Sequence, residues 1–227
     1  MNRSLLLRTS LLASLALAVA SACAPPEPVT PAPPIPPAIV ADTGITNPVL
    51  TCDATSSLKP DVTKDSLITT YGAANVTEET IPWVDSEEKA VVLFASDPET
   101  RIELLWLDKT SGGPRVIQTS GAKWAGPLGL RAGASMADVE TANGAPVSLM
   151  GFSNHNAGEA NDFHGGKLVS ADKGCRVTLI FATGDLPPEV AEPVNNDPEK
   201  DYTSDSPELR AAKPTLDTIV LSYFDPS

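Results

Sequence analysis

The residue types that do chemistry gather in one stretch. Ser153 to Gly166 (SNHNAGEANDFHGG) holds both histidines, His155 and His164, with Asn154, Asn156, Glu159, Asn161 and Asp162. Imidazole beside carboxylate can bind a transition metal or supply a general base. The spacing matches no known metal motif, however, and nothing points to a third and fourth fixed ligand. A polar loop between two strands, its Gly and Asn residues serving turns, accounts for the same residues. Asn154, His155, Asn156, Glu159, Asp162 and His164 are therefore read first as a partner-binding loop, then as a metal site, and last as a catalytic one. Phe152 and Phe163 flank the loop and are expected to pin it to the core.

Elsewhere the tests for chemistry come back negative. Gly133-Ala134-Ser135-Met136-Ala137 lacks the closing Gly of a nucleophile elbow, and in Gly151-Phe152-Ser153-Asn154-His155 a His stands there. The adjacent acids Glu78/Glu79 and Glu87/Glu88 read as solvated turn and edge residues rather than a catalytic pair. No phosphate-binding Gly loop or dinucleotide fingerprint is present. No catalytic residue, metal or cofactor is assigned, and the expectation is a protein that is not an enzyme. The three cysteines, Cys23, Cys52 and Cys175, lie far apart, whereas zinc sites pair cysteines at about two to four residues.

Two short helices stand ahead of the strands. LKPDVTKDSLITTYG (Leu58 to Gly72) and LRAGASMADVETANG (Leu130 to Gly144) align without a gap. Thr63 and Ser135 fall where helix N-caps accept an orphan amide. Asp138, three residues past Ser135, completes a capping box. Gly72 and Gly144 fall where left-handed C-caps belong. Each segment predicts a helix of about two turns, unstable alone and anchored by Leu67 or Val139.

Runs rich in β-branched, aliphatic and aromatic residues follow each helix. After the first come Glu79 to Trp83, Ala90 to Ala95, Arg101 to Leu107 and Val116 to Thr119; after the second, Val147 to Ser153, Lys167 to Val169, Val177 to Ala182 and Thr218 to Phe224. Most connections are too short for a crossover helix, so antiparallel pairing is expected. The expected class is α+β: two repeated units, each a short helix followed by three to four antiparallel strands, forming one domain with its helices on one face of the sheet. Unit one spans 49–123 and unit two 124–227. Of the three indoles, Trp106 reads as core, and Trp83 and Trp124 as core or as half-exposed partner anchors. Residues 184–214 carry six Pro, eight acids and three bases and interrupt unit two. They are expected to form a mobile acidic insertion, with Ser206 capping a turn or two of helix.

The N-terminal residues read as an address. Arg3 and Arg8 precede an apolar run, Leu11 to Ala20, too short to span a bilayer. Residues 1–22 fit a secretory signal peptide. Ala20-Ser21-Ala22-Cys23 suits ordinary signal peptidase and also resembles a bacterial lipobox. The second resemblance implies a diacylglyceryl thioether and an N-acyl chain on Cys23, enough for stable anchoring. Ala24 after the Cys resembles outer-membrane cargo. The implied location is the outer membrane, facing the periplasm; the alternative is a secreted or soluble periplasmic protein. Residues 23–48 then form a tether, with eight prolines between Pro25 and Pro37, extended because proline fixes φ and removes donors. In an oxidising compartment Cys52 and Cys175 are expected to form a disulfide.

A short helix entered by Leu-x-x-Gly-x-Ser/Thr and left by Asn/Tyr-Gly, ahead of antiparallel strands, resembles the tandem fold of β-lactamase inhibitor protein. It is also similar to the single-unit lipoproteins of the outer-membrane barrel-assembly machine. Trp124 to Leu168 further resembles a group of uncharacterised bacterial secreted proteins and lipoproteins. The resemblance implies fold and no function. The expected role is a non-enzymatic envelope lipoprotein that binds another envelope protein or inhibits an enzyme. The alternative is a periplasmic small-ligand or metal-binding protein, or an enzyme, built on Ser153 to Gly166.

Charge supports the exclusion of one partner class. With 16 Lys+Arg against 29 Asp+Glu the net charge is -13, and no basic cluster is present to engage phosphates. Nucleic acid is not an expected partner.

Overall fold

The computed structural model describes residues 47–83, 86–107, 112–153, 157–171, 174–197 and 200–223. Residues 1–22, expected to be a signal peptide, Cys23 and most of the expected tether 23–48 lie outside the described residues.

The two capped segments are helices. In α1 (Lys64–Tyr71) the Thr63 hydroxyl accepts from the Ser66 amide at 3.2 Å, and the Ser66 hydroxyl accepts from the Thr63 amide at 3.0 Å. In α2 (Met136–Asn143) the Ser135 hydroxyl accepts from the Asp138 amide, and the Asp138 carboxylate accepts from the Ser135 amide at 3.0 Å. Both are reciprocal capping boxes. Each helix is too short to persist alone, and each buries an anchor, Leu67 or Val139. The C-caps differ from the expected pair. Gly144 is left-handed (φ 75°, ψ 12°), but Gly72 combines φ 83° with ψ 144°. Gly72 instead swings the chain into the 3₁₀ turn Ala73–Asn75.

The strands are β1 (Val76–Trp83), β2 (Ser86–Leu93), β3 (Ile102–Leu105), β4 (Val116–Thr119), β5 (Ser148–Met150), β6 (Glu159–Asp162), β7 (Arg176–Ala182), β8 (Asp201–Thr203) and β9 (Thr215–Ser222). Among the described residues they form one nine-stranded sheet in the order β1-β2-β3-β4-β9-β7-β6-β5-β8, with every pair antiparallel. Among the described residues the protein is mixed α and β, with five short α-helices.

Alternation along the strands separates two faces. Leu93, Leu104, Ile117, Leu221, Leu179 and Leu149 point to one face and join Leu67, Val139, Leu168, Val194 and Leu209, one residue from each of the five helices, in the main core. Ile81, Ala90, Val92, Leu105, Val116 and Val220 point to the other face and form a smaller cluster with no helical member. Trp124 is fully buried, and its indole N–H donates to the Thr100 carbonyl at 2.8 Å. Trp83 and Trp106 are only half-buried, the latter against the expectation of a core residue.

The Cys52–Cys175 disulfide is present, with Cα atoms 5.2 Å apart. It ties the segment before α1 to the start of β7. Closing 123 residues of chain constrains the unfolded state by at most about 4–5 kcal/mol.

Three expectations require correction. Lys167–Val169 is not a strand but the start of α3 (Lys167–Ala171). The cause is Asn143, fully buried at the end of α2, whose Oδ1 accepts the Leu168 amide at 3.0 Å and so caps the new helix from outside. The middle of the presumed polar loop is β6, because Ala160 is buried between Leu149 and Leu179. The expected mobile insertion 184–214 contains α4 (Pro188–Asn195), the edge strand β8 and α5 (Pro207–Ala212), the last capped by Ser206. Val194, Tyr202, Leu209 and Ala212 are buried. Few as they are, these apolar residues are spaced so that each element seats one face on the core.

Candidate functional site

Asn154, His155 and Asn156 lie outside the described residues. The remaining candidates fall on β6 and the turn after it. Glu159 pairs with Ile180 of β7. The Asp162 Oδ1 accepts from the His164 amide at 2.7 Å, and His164 takes a positive φ of 49° in the turn. His164 Nε2 lies 2.8 Å from the hydroxyl of Ser148 on β5, a partner that the sequence did not single out. Its Nδ1 lies 3.8 Å from Asp162 Oδ2.

Hydroxyl, imidazole and carboxylate thus stand in the order of nucleophile, base and orienting acid. Their geometry is that of a fastening. The imidazole–carboxylate separation exceeds a hydrogen bond. Ser148 is only 7% exposed and sits in the ladder between β6 and β8. The contact holds the turn against β5. Behind it, the Asn143 amide donates to the carbonyls of Ala145, Pro146 and Phe163, the last at 2.9 Å. A Cβ on Gly166 would lie 2.2 Å from Asn143 Oδ1, so glycine is needed there. Among the described residues no three of His, Cys, Asp and Glu gather as a metal site.

The helix-free face carries the densest charge network. Arg101 Nη2 donates to Glu79 Oε2 at 2.8 Å and to Glu103 Oε1 at 2.7 Å, and Gln118 Nε2 donates to Glu103 Oε2 at 2.7 Å. The Arg101 hydrogen bond holds the Glu79 carboxyl below the usual range. These groups lie across β1, β3 and β4 on one face, beside half-exposed Trp83, Glu88, Ile180 and Ser222.

On the helix side, along the β1–β2 hairpin, lies a groove of about 530 Å³. It is lined by Lys64, Glu78, Glu87, Lys89, Val91 and Trp106, among others. Lys64 and Glu78 pair at 2.9 Å, and that bond lowers the Glu78 carboxyl. The pairing of β1 with β2 makes this site, bringing Glu78 opposite Val91. Sequence reading missed it, treating Glu78 and Glu87 as solvated acids.

No helix among the described residues is long and apolar enough to cross a membrane. Comparison with protein-family models, characterised proteins and solved structures found no match for this chain.

Proposed function

We propose that this protein is a non-enzymatic envelope lipoprotein, anchored through Cys23, whose scaffold binds another envelope protein on the helix-free face of its sheet. One observation carries the reading: among the described residues the five helices pack on one face, while the other face carries its own apolar cluster across β1, β2, β3, β4 and β9, with half-exposed Trp83 and Ile180 of β7 packed at its margin. At about 4.8 Å per strand the six adjacent strands from β1 to β7 span roughly 24 Å. Half-exposed Trp83 and Ile180 supply anchors, and the Glu79–Arg101–Glu103 network supplies fixed polar partners.

We also propose that the domain arose by duplication of a unit of one helix and four antiparallel strands. The order β1-β2-β3-β4 meeting β9-β7-β6-β5, with a capping box ahead of each set, supports it.

A photo-crosslinking residue at Thr218, on the helix-free face, tests the binding reading in intact cells, with one at Glu189 of α4 as control. A single discrete adduct from Thr218 alone is expected, lost when Trp83→Asp is added. Absence of any adduct, or equal adducts from both positions, refutes it. The anchor is tested separately: Cys23→Ser should release the protein from membranes, and unchanged retention refutes lipidation.

A further inference from the structure

We propose that the free edge of β1 is a strand-addition site, taking an extended segment of a partner protein that carries a lysine or arginine into the Trp106 groove. The proposal rests on the protein-binding reading but places a contact on the sheet edge and names its chemistry.

The edge is open by register. The Asn75 carbonyl accepts from the Phe94 amide at 2.9 Å, and Val76 stands opposite Leu93. Hydrogen-bonded pairs alternate along an antiparallel ladder. Thr77, Glu79, Ile81 and Trp83 therefore bond to β2, while Val76, Glu78, Thr80 and Pro82 turn their backbone groups outward. The Val76 amide is taken by Ala73. Among the described residues no hydrogen bond reaches the amides of Glu78 and Thr80 from outside the sheet. Pro82 falls at an outward position, where its missing N–H costs the ladder nothing. It closes the edge, leaving the outward backbone groups of Glu78 and Thr80 available.

The opposite side of the sheet shows what such an edge accepts. Outward from the β4–β9 seam come β3, β2 and β1 on one side, and β7, β6, β5 and then β8 on the other. β1 stands where β5 stands, and β5 is covered by β8. Tyr202 of β8, opposite Leu149, inserts on the helix side and is 2% exposed. A strand added to β1 would likewise send a side chain to the helix side, over the groove beside Glu78.

Charge and aromaticity select that side chain. Glu78 and Glu87 line the groove with Lys64 and Lys89, and Lys64 is already held by Glu78. Half-buried Trp106 lines the same groove, and indole is the side chain that attracts a cation best. Main-chain bonds would supply affinity and the groove specificity. A second copy is disfavoured, because antiparallel pairing of two β1 edges would bring their Glu78 and Glu79 side chains near their counterparts.

The test uses the mature, disulfide-bonded chain and short synthetic peptides of alternating Thr and Val with a central Lys or Glu. The Lys peptide should slow amide exchange at Glu78 and Thr80 and quench a fluorescence component that Trp106→Phe removes. Thr80→Pro deletes an outward amide without touching the ladder, and should weaken binding roughly tenfold at unchanged melting temperature. Glu87→Lys, which needs no backbone change, should weaken the Lys peptide severalfold and favour the Glu peptide. No slowing at Glu78 and Thr80, or equal binding of both peptides, overturns the proposal. So does protection that grows with protein concentration in the absence of peptide, which assigns the edge to a second copy. If Thr80→Pro and Glu87→Lys both leave the Thr218 adduct and peptide binding intact, the edge site falls and the binding function stands. If the peptides bind but the Thr218 adduct is absent, the helix-free-face reading falls instead.

Discussion

At one outer margin of the sheet the chain supplies its own cover; at the other it leaves β1 bare. β5 is paired by β8, a strand of three residues brought by the proline-rich segment between β7 and β9. β1 runs for eight residues and is blunted only by Pro82 and its carboxylates. Short edge strands, charge and proline are all known means of stopping unwanted pairing. Here they are divided between the two margins. A covered margin contributes packing to the fold, whereas a bare one contributes little and stays available for contact. The acidic segment is therefore part of the architecture on its own side, with Tyr202 as its key: ring buried, hydroxyl donating to the Pro193 carbonyl at 2.6 Å, and Lys200 4.4 Å above the ring centroid.

Tyr202→Ala is the most direct way to break this contrast. It should cost about 3–5 kcal/mol in urea unfolding and speed amide exchange across Ser148–Met150. Unchanged stability would mean that β8 merely lies on the edge. Thr80→Pro, on the bare margin, should change stability by less than about 0.5 kcal/mol.

Next in size is the node behind the covered margin. Asn143→Ala leaves the Leu168 amide and the Phe163 carbonyl without their buried partner, and should cost about 2–3 kcal/mol. Exchange should rise in α3 and leave β1–β2 unaffected. A uniform rise over both sides would show that the two margins are not separable.

The caps compare the two sides at smaller scale. Thr63→Ala and Ser135→Ala should each cost about 1 kcal/mol at neutral pH. They should diverge in acid. The Ser135 hydrogen bonds hold the Asp138 carboxyl below its ordinary value. A carboxyl whose folded pKa is depressed stabilises above its unfolded pKa, about 3.9, and loses that contribution as pH falls through the folded value. The cost of Ser135→Ala should shrink in that window, whereas the Thr63–Ser66 box has no titrating member and the cost of Thr63→Ala should hold. Parallel acid profiles for the two variants would refute the assignment.

The smallest effect belongs to the seam. The Tyr223 hydroxyl, just after β9, is buried with no hydrogen-bond partner among the described residues. Burial pushes its pKa up to about 12. Because the folded value lies above the unfolded one of about 10, the contribution is complete below pH 10 and is lost as pH rises through the folded value. Tyr223→Phe should be neutral or slightly stabilising near pH 7 and should flatten that alkaline decline. A clear loss of stability near pH 7 would reveal a partner for the hydroxyl.

Legibility followed how local each cause was. The capping boxes were readable because Thr63 with Ser66, and Ser135 with Asp138, lie within one turn. The main strands were readable from runs such as Ala90 to Ala95, and the disulfide from two cysteines left after Cys23. α3 was not, since its cap is Asn143, distant in sequence. β6 was not, since Glu-Ala-Asn-Asp shows one apolar residue and only Leu149 and Leu179 make Ala160 a core position. The Ser148–His164 contact and the Trp106 groove are products of strand register, which no single segment encodes.

The seam also sets an order on synthesis. β9, last of the described strands to leave the ribosome, lies between β4 and β7 and pairs with both. Until Thr215–Ser222 is available, each side of the sheet ends in an unsatisfied apolar margin and the two sides have no common strand. Pairing of β9 with both β4 and β7 is therefore the step that joins the two sides into one sheet.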